Sequence, residues 1–488
     1  MATRADLIEI FHSGVAAVEP RRAVRRAVAV HDGHLRCGPV TFDLAGAGRI
    51  LVIAVGKAAP AMCRGLADAV PVGRLEGVVV TNHNDASPLP VIIAGHPLPN
   101  QGSVVGAEAA LRIAAGATAD DLVVCLVSGG GSAILEAPAV GVGLDDLIAT
   151  NEALLTSGAD IVEFNTVRKH LSRVKGGRLA AAAGEAALLT LVLSDVVGDP
   201  LDVIASGPTV PDPTTYRDAL RIVGDRGVRD VLPAAVLGHL EAGRAGEIAD
   251  TPSRRHPRSH VTIVGNGRVA AEAAAAAAVD KGLAAEIVAT DLTGEARLVA
   301  TELIARPGRG LGIYAGETTV TVTGAGTGGR NQEGALAAAI AIDGRSDVLF
   351  LAAGTDGIDG PTPAAGAVVD GTTVSRGAAL GLDGQPFWPT MTLLRSSTRP
   401  ATSSSPARPA PTLAISGSST VPSTEGAWYS RTRPVAAAHK PWSWSANSGL
   451  GNTLGVPTNP GFPDTPHVFV GPRFGGEEVS RRVRRGRR

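Results

Sequence analysis

Apolar runs alternate with segments of helical periodicity along the first 380 residues of the chain. The runs Ile50–Val55, Leu122–Val127 and Ala187–Leu193 are almost continuously apolar, which is typical of strands in a parallel sheet covered on both faces. Between them, apolar residues recur at helical spacing, for example in Gln101–Ala115 and in residues 144–157. This alternation predicts an α/β fold with a parallel sheet.

The pattern predicts a division of the chain into two α/β units. Residues 1–31 are predicted to be helical, and residues 243–260 are rich in Arg, Pro, Ser and Gly, as linkers are. Further strands are predicted at 261–264, 285–289, 312–314, 318–322 and 348–353. We therefore expect an N-terminal domain over 1–242, a linker over 243–260, a smaller C-terminal domain over 261–384, and a tail over 385–488 without periodicity, predicted to be disordered.

Composition and charge exclude several classes of function. The chain has 488 residues, with 45 Lys and Arg against 46 Asp and Glu, so its charge predicts neither a nucleic-acid partner nor a membrane surface. No apolar run reaches the roughly 20 residues of a transmembrane helix. Its three cysteines are too few for a disulfide framework, and a cytoplasmic location is expected. Oligomerisation is left open.

Two glycine-containing turns follow predicted strands and suit an anionic ligand. Gly56-Lys57 ends one strand and opens a helix, whose first N–H groups attract anions. The spacing is not that of a Walker A loop, and a surface lysine remains an alternative. Ser128-Gly129-Gly130-Gly131-Ser132 follows the next buried strand, and consecutive glycines allow close backbone approach to a phosphate or carboxylate. A flexible loop is the alternative.

A cluster of cations lies on one predicted helix. Arg168, Lys169, His170, Arg173 and Lys175 fall within ten residues of one another. A solvated charged face is the commoner explanation of such a run, and binding of a substrate anion is the second.

Three further turns carry charged groups beside glycine. Asp195 and Asp199 follow the Ala187–Leu193 run, at the end of a parallel strand where ligands of open α/β sheets bind. They suit Mg²⁺ coordination or proton transfer, with loop capping as the alternative. Gly328-Gly329-Arg330-Asn331 opens a predicted helix, where arginine can clamp a phosphoryl group. Asp356 lies in Gly354-Thr355-Asp356-Gly357 after another strand.

These motifs together resemble the type-2 glycerate kinase family, some members of which are recorded as hydroxypyruvate reductases. The resemblance covers residues 7–384 and is carried, in order, by segments 55–59, 126–133, 163–177, 194–209, 316–319, 324–333 and 353–366. It implies ATP- and Mg²⁺-dependent phosphorylation of D-glycerate, a small-molecule substrate, to 2-phosphoglycerate. It also implies a Rossmann-like three-layer N-terminal domain, a smaller α/β domain, and an active site in the cleft between them.

The family's motifs and the charged and glycine-rich turns described above together give a set of expected site residues. Lys57, Asp195, Arg330 and Asp356 are the expected catalytic residues, and Asp195 and Asp199 the expected Mg²⁺ ligands. The residues expected to bind the nucleotide are Gly56, Ser128, Gly129, Gly130, Gly131, Ser132, Lys175, Gly328, Gly329 and Asn331. The division of roles between Asp195 and Asp356 stays open.

The tail departs from the family pattern in a way that a reading-frame slip accounts for. The family's second domain ends with an Asn-Asp pair and a strand that runs into Thr-Gly-Pro-Thr-Gly-Thr-Asn, and this chain lacks both. Allowed codons for residues 401–412, read from two bases into the first codon, can encode Asp-Leu-Val-Val-Thr-Gly-Pro-Thr-Gly-Thr-Asn. The same shift over residues 385–391 can restore the Asn-Asp pair. We therefore predict a single-base slip near residues 383–385; a divergent extension is the alternative.

Two other functions remain as alternatives. An NAD(P)H-dependent hydroxypyruvate reductase is disfavoured because no Gly-x-Gly-x-x-Gly with a following acidic residue appears after the first predicted strand. An inactive remnant that only binds ligand would be stabilised by ligand without turnover.

Overall fold

The computed structural model describes residues 2–44, 46, 48–306, 310–323, 326–380 and 467–472. Within these ranges, none of the helices combines the length and apolar character needed to cross a membrane. The described residues form two large sheets and a small three-stranded sheet.

The N-terminal segment begins with two helices rather than the single helix predicted for residues 1–31. These elements are α1 (Arg4–Val18), α2 (Pro20–Ala27), β1 (Val28–His31), β2 (His34–Cys37) and β3 (Val40–Asp43). The Thr3 side chain caps α1 in a capping box with Asp6. Pro20 lies at the start of α2, where it lacks the N–H that would continue α1. The three short strands form an antiparallel meander.

The larger sheet has six parallel strands with helices on both faces, as predicted. Its strands are β4 (Ile50–Val55), β5 (Leu75–Thr81), β6 (Val91–Ile93), β7 (Leu122–Val127), β8 (Ala187–Leu193) and β9 (Ser259–Gly265). The intervening helices are α3 (Ala59–Ala67), α4 (Gln101–Ala115), α5 (Gly131–Ile134), α6 (Leu144–Thr156), α7 (Ile161–His170), α8 (Arg178–Ala182), α9 (Tyr216–Asp225) and α10 (Ala234–Ala245). Every residue of β4, β7 and β8 is buried, which explains their unbroken apolar character.

The strand order of this sheet creates a crevice between β4 and β7. The order is β6-β5-β4-β7-β8-β9, so the chain runs outward in one direction after β4 and in the other after β7. Ligands of open α/β sheets bind at such a reversal, outside the carboxyl ends of the strands. The Gly56-Lys57 turn and the Ser128–Ser132 turn therefore meet there.

The second large sheet is mixed. The remaining elements are α11 (Gly267–Asp280), β10 (Ala285–Glu295), α12 (Ala296–Ala305), β11 (Leu311–Thr319), α13 (Arg330–Ala341), β12 (Leu349–Gly354), β13 (Gly366–Asp370), α14 (Thr373–Ala379) and β14 (His467–Pro472). The sheet order is β10-β11-β14-β12-β13. One strand, β11, replaces the two strands predicted over residues 312–322.

The predicted domain boundaries do not follow the sheets. Residues 261–264 were assigned to the second unit, but they lie in β9, which pairs with β8 in the first sheet. Helix α10 continues to Ala245, inside the predicted linker. Helix α1 packs against α11 and shares a core with residues of the second sheet. Strand pairing and packing between residues distant in sequence decide these assignments.

Six residues of the predicted tail form a strand. His467–Pro472 lies antiparallel between β11 and β12 and pairs with both. Sequence periodicity did not predict this strand, because main-chain pairing depends little on side-chain identity. The rest of the tail, including residues 385–391 and 401–412 on which the frame-slip prediction rests, lies outside the described residues.

Candidate active site

The turns after β4 and β7 are joined by main-chain and side-chain hydrogen bonds. The Lys57 N–H donates to the Gly129 carbonyl (2.9 Å), and the Ala58 N–H donates to Ser128 Oγ (3.1 Å). Gly56 has φ of 113°, and a Cβ there would lie 2.3 Å from Ser128 Oγ. Glycine is therefore required, and Lys57, only 5% exposed, is fixed at the crevice.

The β7–α5 loop, Ser128–Ser132, offers amide groups to a ligand. Gly130 adopts the left-handed region with φ of 77°, and a Cβ there would contact the Lys57 and His96 side chains at 3.0–3.1 Å. Among the described residues, no protein acceptor is found for the N–H groups of Gly129, Gly130 and Ser132. Successive main-chain amides in a turn with a left-handed glycine form an anion-binding concavity.

Four cations of the predicted cluster are buried, which does not fit a solvated charged face, whereas Arg173 is partly exposed and pairs with Glu108. Lys169 Nζ lies 2.7 Å from Asp212 Oδ1, and His170 Nε2 lies 3.0 Å from Asp250 Oδ1. Arg168 and Lys175 are 7% and 1% exposed. They bind protein groups because buried charges require partners.

Lys175, one of the residues predicted to bind the nucleotide, contacts the β7–α5 loop from within the protein. Its Nζ donates to the carbonyls of Ser132 (2.8 Å) and Leu135 (2.9 Å). Burial is the largest influence on this group and lowers its pKa to about 8, although Glu136 opposes the shift.

A strained turn holds the Ser132 hydroxyl. Ala205, Ser206 and Gly207 all have φ between 51° and 60°, a left-handed conformation that is costly for the first two. Ser206 Oγ donates to Asn165 Oδ1 (2.9 Å) and lies 2.9 Å from Ser132 Oγ. Since Ser206 has one hydroxyl hydrogen, Ser132 donates to it. This contact fixes the Ser132 side chain.

A cavity of about 550 Å³ separates the loop after β8 from the second sheet. Its lining includes Asp195 and Asp199 from the first sheet and Asp291 and Gly316 from the second. Its size suits a small-molecule ligand. Asp199 Oδ2 accepts a hydrogen bond from Asn266 Nδ2 (2.5 Å). Asn266 also caps α11, the helix that leads into the second sheet.

In the second sheet, Arg330 is oriented by an acidic neighbour. Its Nη1 donates to Glu317 Oε1 (2.9 Å) and to the Thr318 carbonyl (3.3 Å). Glu317 follows Gly316, which lines the cavity. Asp356 lies two residues beyond β12, and its Oδ1 accepts the Ile358 N–H (3.2 Å).

The start of α13 is occupied by a protein carboxylate. Asp359, 2% exposed, accepts the N–H groups of Asn331 (3.0 Å) and Gln332 (2.8 Å) and the Asn331 side-chain amide (3.0 Å). Burial raises the pKa of Asp359, although these hydrogen bonds act against the shift. Asn331, predicted to bind the nucleotide, is fully buried in this contact.

The predicted site residues thus lie in three separate groups in the structure. Lys57 and the β7–α5 loop share the crevice, Asp195 and Asp199 line the cavity, and Arg330 lies beside Glu317. Sequence reasoning missed Glu136, Ser206, Glu317 and Asp359. Glu136, the single acidic residue in an otherwise apolar stretch over residues 133–140, gave a signal that could have identified it.

Comparisons with known proteins give matches over most of the chain. A family model described as a domain of unknown function (DUF4147) matches residues 6–241, and the MOFRL family model matches residues 311–391. Neither matched range includes residues 392–488.

Named relatives match over most of their length. The chain is 41% identical to the glycerate 2-kinase of Pyrococcus horikoshii over 77% of this chain and 88% of that protein. It is 39% identical to an Agrobacterium vitis protein named "Putative hydroxypyruvate reductase" over 78% of this chain and 86% of that protein.

A solved structure is similar in fold. The crystal structure of the Thermotoga maritima glycerate kinase superposes with a TM-score of 0.70 at 38% identity, covering 78% of this chain and 90% of that one.

Proposed function

We propose, from the premise that this chain belongs to the glycerate 2-kinase family, that it transfers the γ-phosphoryl group of ATP to the 2-hydroxyl of D-glycerate. The product is 2-phosphoglycerate. The observation that carries the proposal is the crevice between β4 and β7, where buried Lys57 lies against a glycine-rich loop with available amides. Such a site suits charged oxygens.

Phosphoryl transfer requires positioning and charge stabilisation more than covalent chemistry. Lys57 and Arg330 are the cations proposed to stabilise charge on the transferring group. Asp195 or Asp356 is proposed to accept the hydroxyl proton, since each follows the carboxyl end of a strand. Closure of the cavity between the sheets would bring Lys57 and Asp195 of the first sheet to the same ligand as the two residues of the second sheet. These two residues are Arg330 and Asp356.

The proposal includes Mg²⁺ held by Asp195 and Asp199. Both carboxylates lie on one turn that lines the cavity, and no group of three or more potential ligands is found among the described residues. This donor set fits Mg²⁺, which commonly takes one or two carboxylates and fills its remaining positions with phosphate oxygens and water. When bound, the ion offsets phosphate charge. The amide of Asn266 fixes the Asp199 carboxylate.

The same proposal includes the division into domains, the cellular location and the origin of the tail. We retain two α/β domains, with β9 moved to the first, and a cytoplasmic location, which the three buried free cysteines support. We retain the frame slip near residues 383–385, which the end of the MOFRL match at residue 391 supports.

The test is ATP-dependent phosphorylation of D-glycerate, with the product identified by phosphorus NMR. The chain as written is compared with a version whose frame is restored after Asp383. Formation of 2-phosphoglycerate by the restored version alone would support both the kinase and the frame slip. Full activity of the chain as written would refute the frame slip. Absence of product from both would refute the kinase.

Hydroxypyruvate reduction is the second candidate, because the strand order β6-β5-β4-β7-β8-β9 is that of dinucleotide-binding folds. The turn after β4 lacks the Gly-x-Gly-x-x-Gly pattern, which disfavours it. Oxidation of NADH or NADPH on addition of hydroxypyruvate would identify this activity. Ligand-induced thermal stabilisation without turnover would instead identify a binding protein.

A further inference from the structure

A buried charge cluster lies beneath the β7–α5 loop. It consists of Glu136, Arg168 and Lys175, each at most 7% exposed. Lys175 Nζ lies 3.1 Å from Glu136 Oε2 and donates to the carbonyls of Ser132 and Leu135. These three partners use all three hydrogens of the ammonium group. Lys175 is therefore held in one position.

The same loop carbonyl receives a second cation. Arg168 Nη2 donates to the Ser132 carbonyl (2.7 Å) and lies 3.9 Å from Glu136 Oε2. The Ser132 residue is thus held at its carbonyl by two cations and at its hydroxyl by Ser206. A residue fixed at both groups has little freedom to rotate the peptide that carries its amide.

The charge cluster is not balanced. Two cations share one carboxylate, and Arg168 Nε and Glu136 Oε1 have no hydrogen-bond partner among the described residues. A buried surplus of positive charge is unfavourable unless an anion compensates it. The amides of Gly129, Gly130 and Ser132 lie on the same loop and lack protein acceptors within the described part of the chain.

We propose that Lys175 and Arg168 are positioning residues, which fix the β7–α5 loop and supply positive charge so that its amides bind an oxyanion. The oxyanion is a phosphate group of the nucleotide or the carboxylate of the hydroxy acid. The identity of these two ligands rests on the proposed function. The chemistry of the site rests on the loop and the charge cluster alone.

Lys169 provides a matched control for Lys175. Both lysines are almost fully buried, and each forms an ion pair with a buried acidic residue, Asp212 for Lys169 and Glu136 for Lys175. Lys169 also lies 3.6 Å from the carboxylate of the partly exposed Asp202. Lys169 makes its hydrogen bond to Asp212 rather than to a carbonyl of the β7–α5 loop. Replacement of Lys169 therefore reports the general cost of removing a buried cation.

The experiment measures binding rather than turnover. ATP and D-glycerate are titrated separately by calorimetry into the full chain and its Lys175→Met, Lys175→Arg and Lys169→Met variants, below the unfolding temperature of each. We expect Lys175→Met to weaken one of the two ligands at least tenfold, and Lys175→Arg to recover most of that affinity. We expect Lys169→Met to lower the Tm but change either affinity less than threefold.

The affected ligand identifies which oxyanion the loop binds. Unchanged binding of both ligands by Lys175→Met would overturn the proposal, as would an equal loss in Lys169→Met. If Lys175→Met does not fold, Arg168→Met replaces it, since Arg168 contacts the same carbonyl.

Failure of the proposed function is separable from failure of this inference. Lack of 2-phosphoglycerate formation refutes the kinase but leaves the titrations interpretable. If the unmodified chain binds neither ATP nor D-glycerate, inorganic phosphate and sulfate are titrated in the same four proteins. Binding that depends on Lys175 would support the inference, and absence of binding of all four anions would overturn it.

Discussion

The two glycine-rich loops that open helices are stabilised in opposite ways. In the β7–α5 loop, buried cations bind carbonyl oxygens from within the protein. At the start of α13, a buried anion, Asp359, binds amide hydrogens. The first arrangement leaves main-chain amides available to a ligand, and the second uses them internally.

From this difference we infer different roles for two similar sequence motifs. The β7–α5 loop is suited to bind an anion through its main chain. The Gly328-Gly329-Arg330-Asn331 segment presents a charged side chain, Arg330, from a rigid helix start. A glycine-rich turn before a helix is therefore not by itself an anion site, because its amides can be satisfied by a protein carboxylate.

The largest expected effect on activity concerns Arg330, the charged side chain that the Gly328-Gly329-Arg330-Asn331 segment presents. Arg330→Met is expected to lower kcat/KM for D-glycerate phosphorylation by about 10²–10³-fold, since an electrostatic contact to the transferring group would be lost. Coupled-enzyme kinetics on the frame-restored chain would measure this. Arg345→Met, which removes an ion pair with Asp347 at 3.3 Å, is the control and should leave kcat/KM unchanged. An unaffected Arg330→Met enzyme would contradict the role of Arg330.

The second effect concerns stability. Asp359→Ala leaves the first amides of α13 without their acceptor, and we expect the free energy of unfolding to fall by about 2–4 kcal/mol. Urea unfolding would measure it, with Asp347→Ala, an exposed ion-pair partner, changing stability by less than about 0.5 kcal/mol. Equal stability of the two variants would show that Asp359 does not hold the helix start.

The third effect concerns pH and the buried charged groups of the two loops. Burial lowers the pKa of Lys175 to about 8, so oxyanion binding at the β7–α5 loop should weaken as the pH rises past this value. The loss should approach about tenfold for each further pH unit. Burial raises the pKa of the Asp359 carboxyl at the start of α13, so burial favours the uncharged form of both groups.

The free energy of unfolding should rise with pH over the range in which oxyanion affinity falls. The folded pKa of Lys175 lies below its ordinary value of 10.5, so the unfolded chain binds more protons between about pH 8 and 10.5. The contribution of Lys175 to the free energy of unfolding therefore rises with pH in this window.

Calorimetric titrations of ligand at several pH values would measure the expected decline in oxyanion affinity. Lys175→Arg should abolish the decline, because arginine does not titrate there; a decline that persists would assign it to another group.

Local sequence patterns predicted much of the fold. The apolar runs of β4, β7 and β8 were located to the residue because each strand is buried on both faces. The break at Pro20 was missed, although a proline that follows an apolar helical pattern is a local signal for the end of a helix. Strand β14 could not be predicted, since its pairing with β11 and β12 is made by the main chain.

The sequence by itself determined which segments are strands or helices, where glycine allows close approach, and which family motifs the chain carries. These properties depend on neighbours within a few residues. Only the tertiary structure decided that Lys175 meets Ser132, 43 residues away, and that Asp359 meets Asn331, 28 residues away. A buried charge is stable only beside a polar or oppositely charged partner. The strand order and the packing of the chain determine which distant residue is close enough to be that partner.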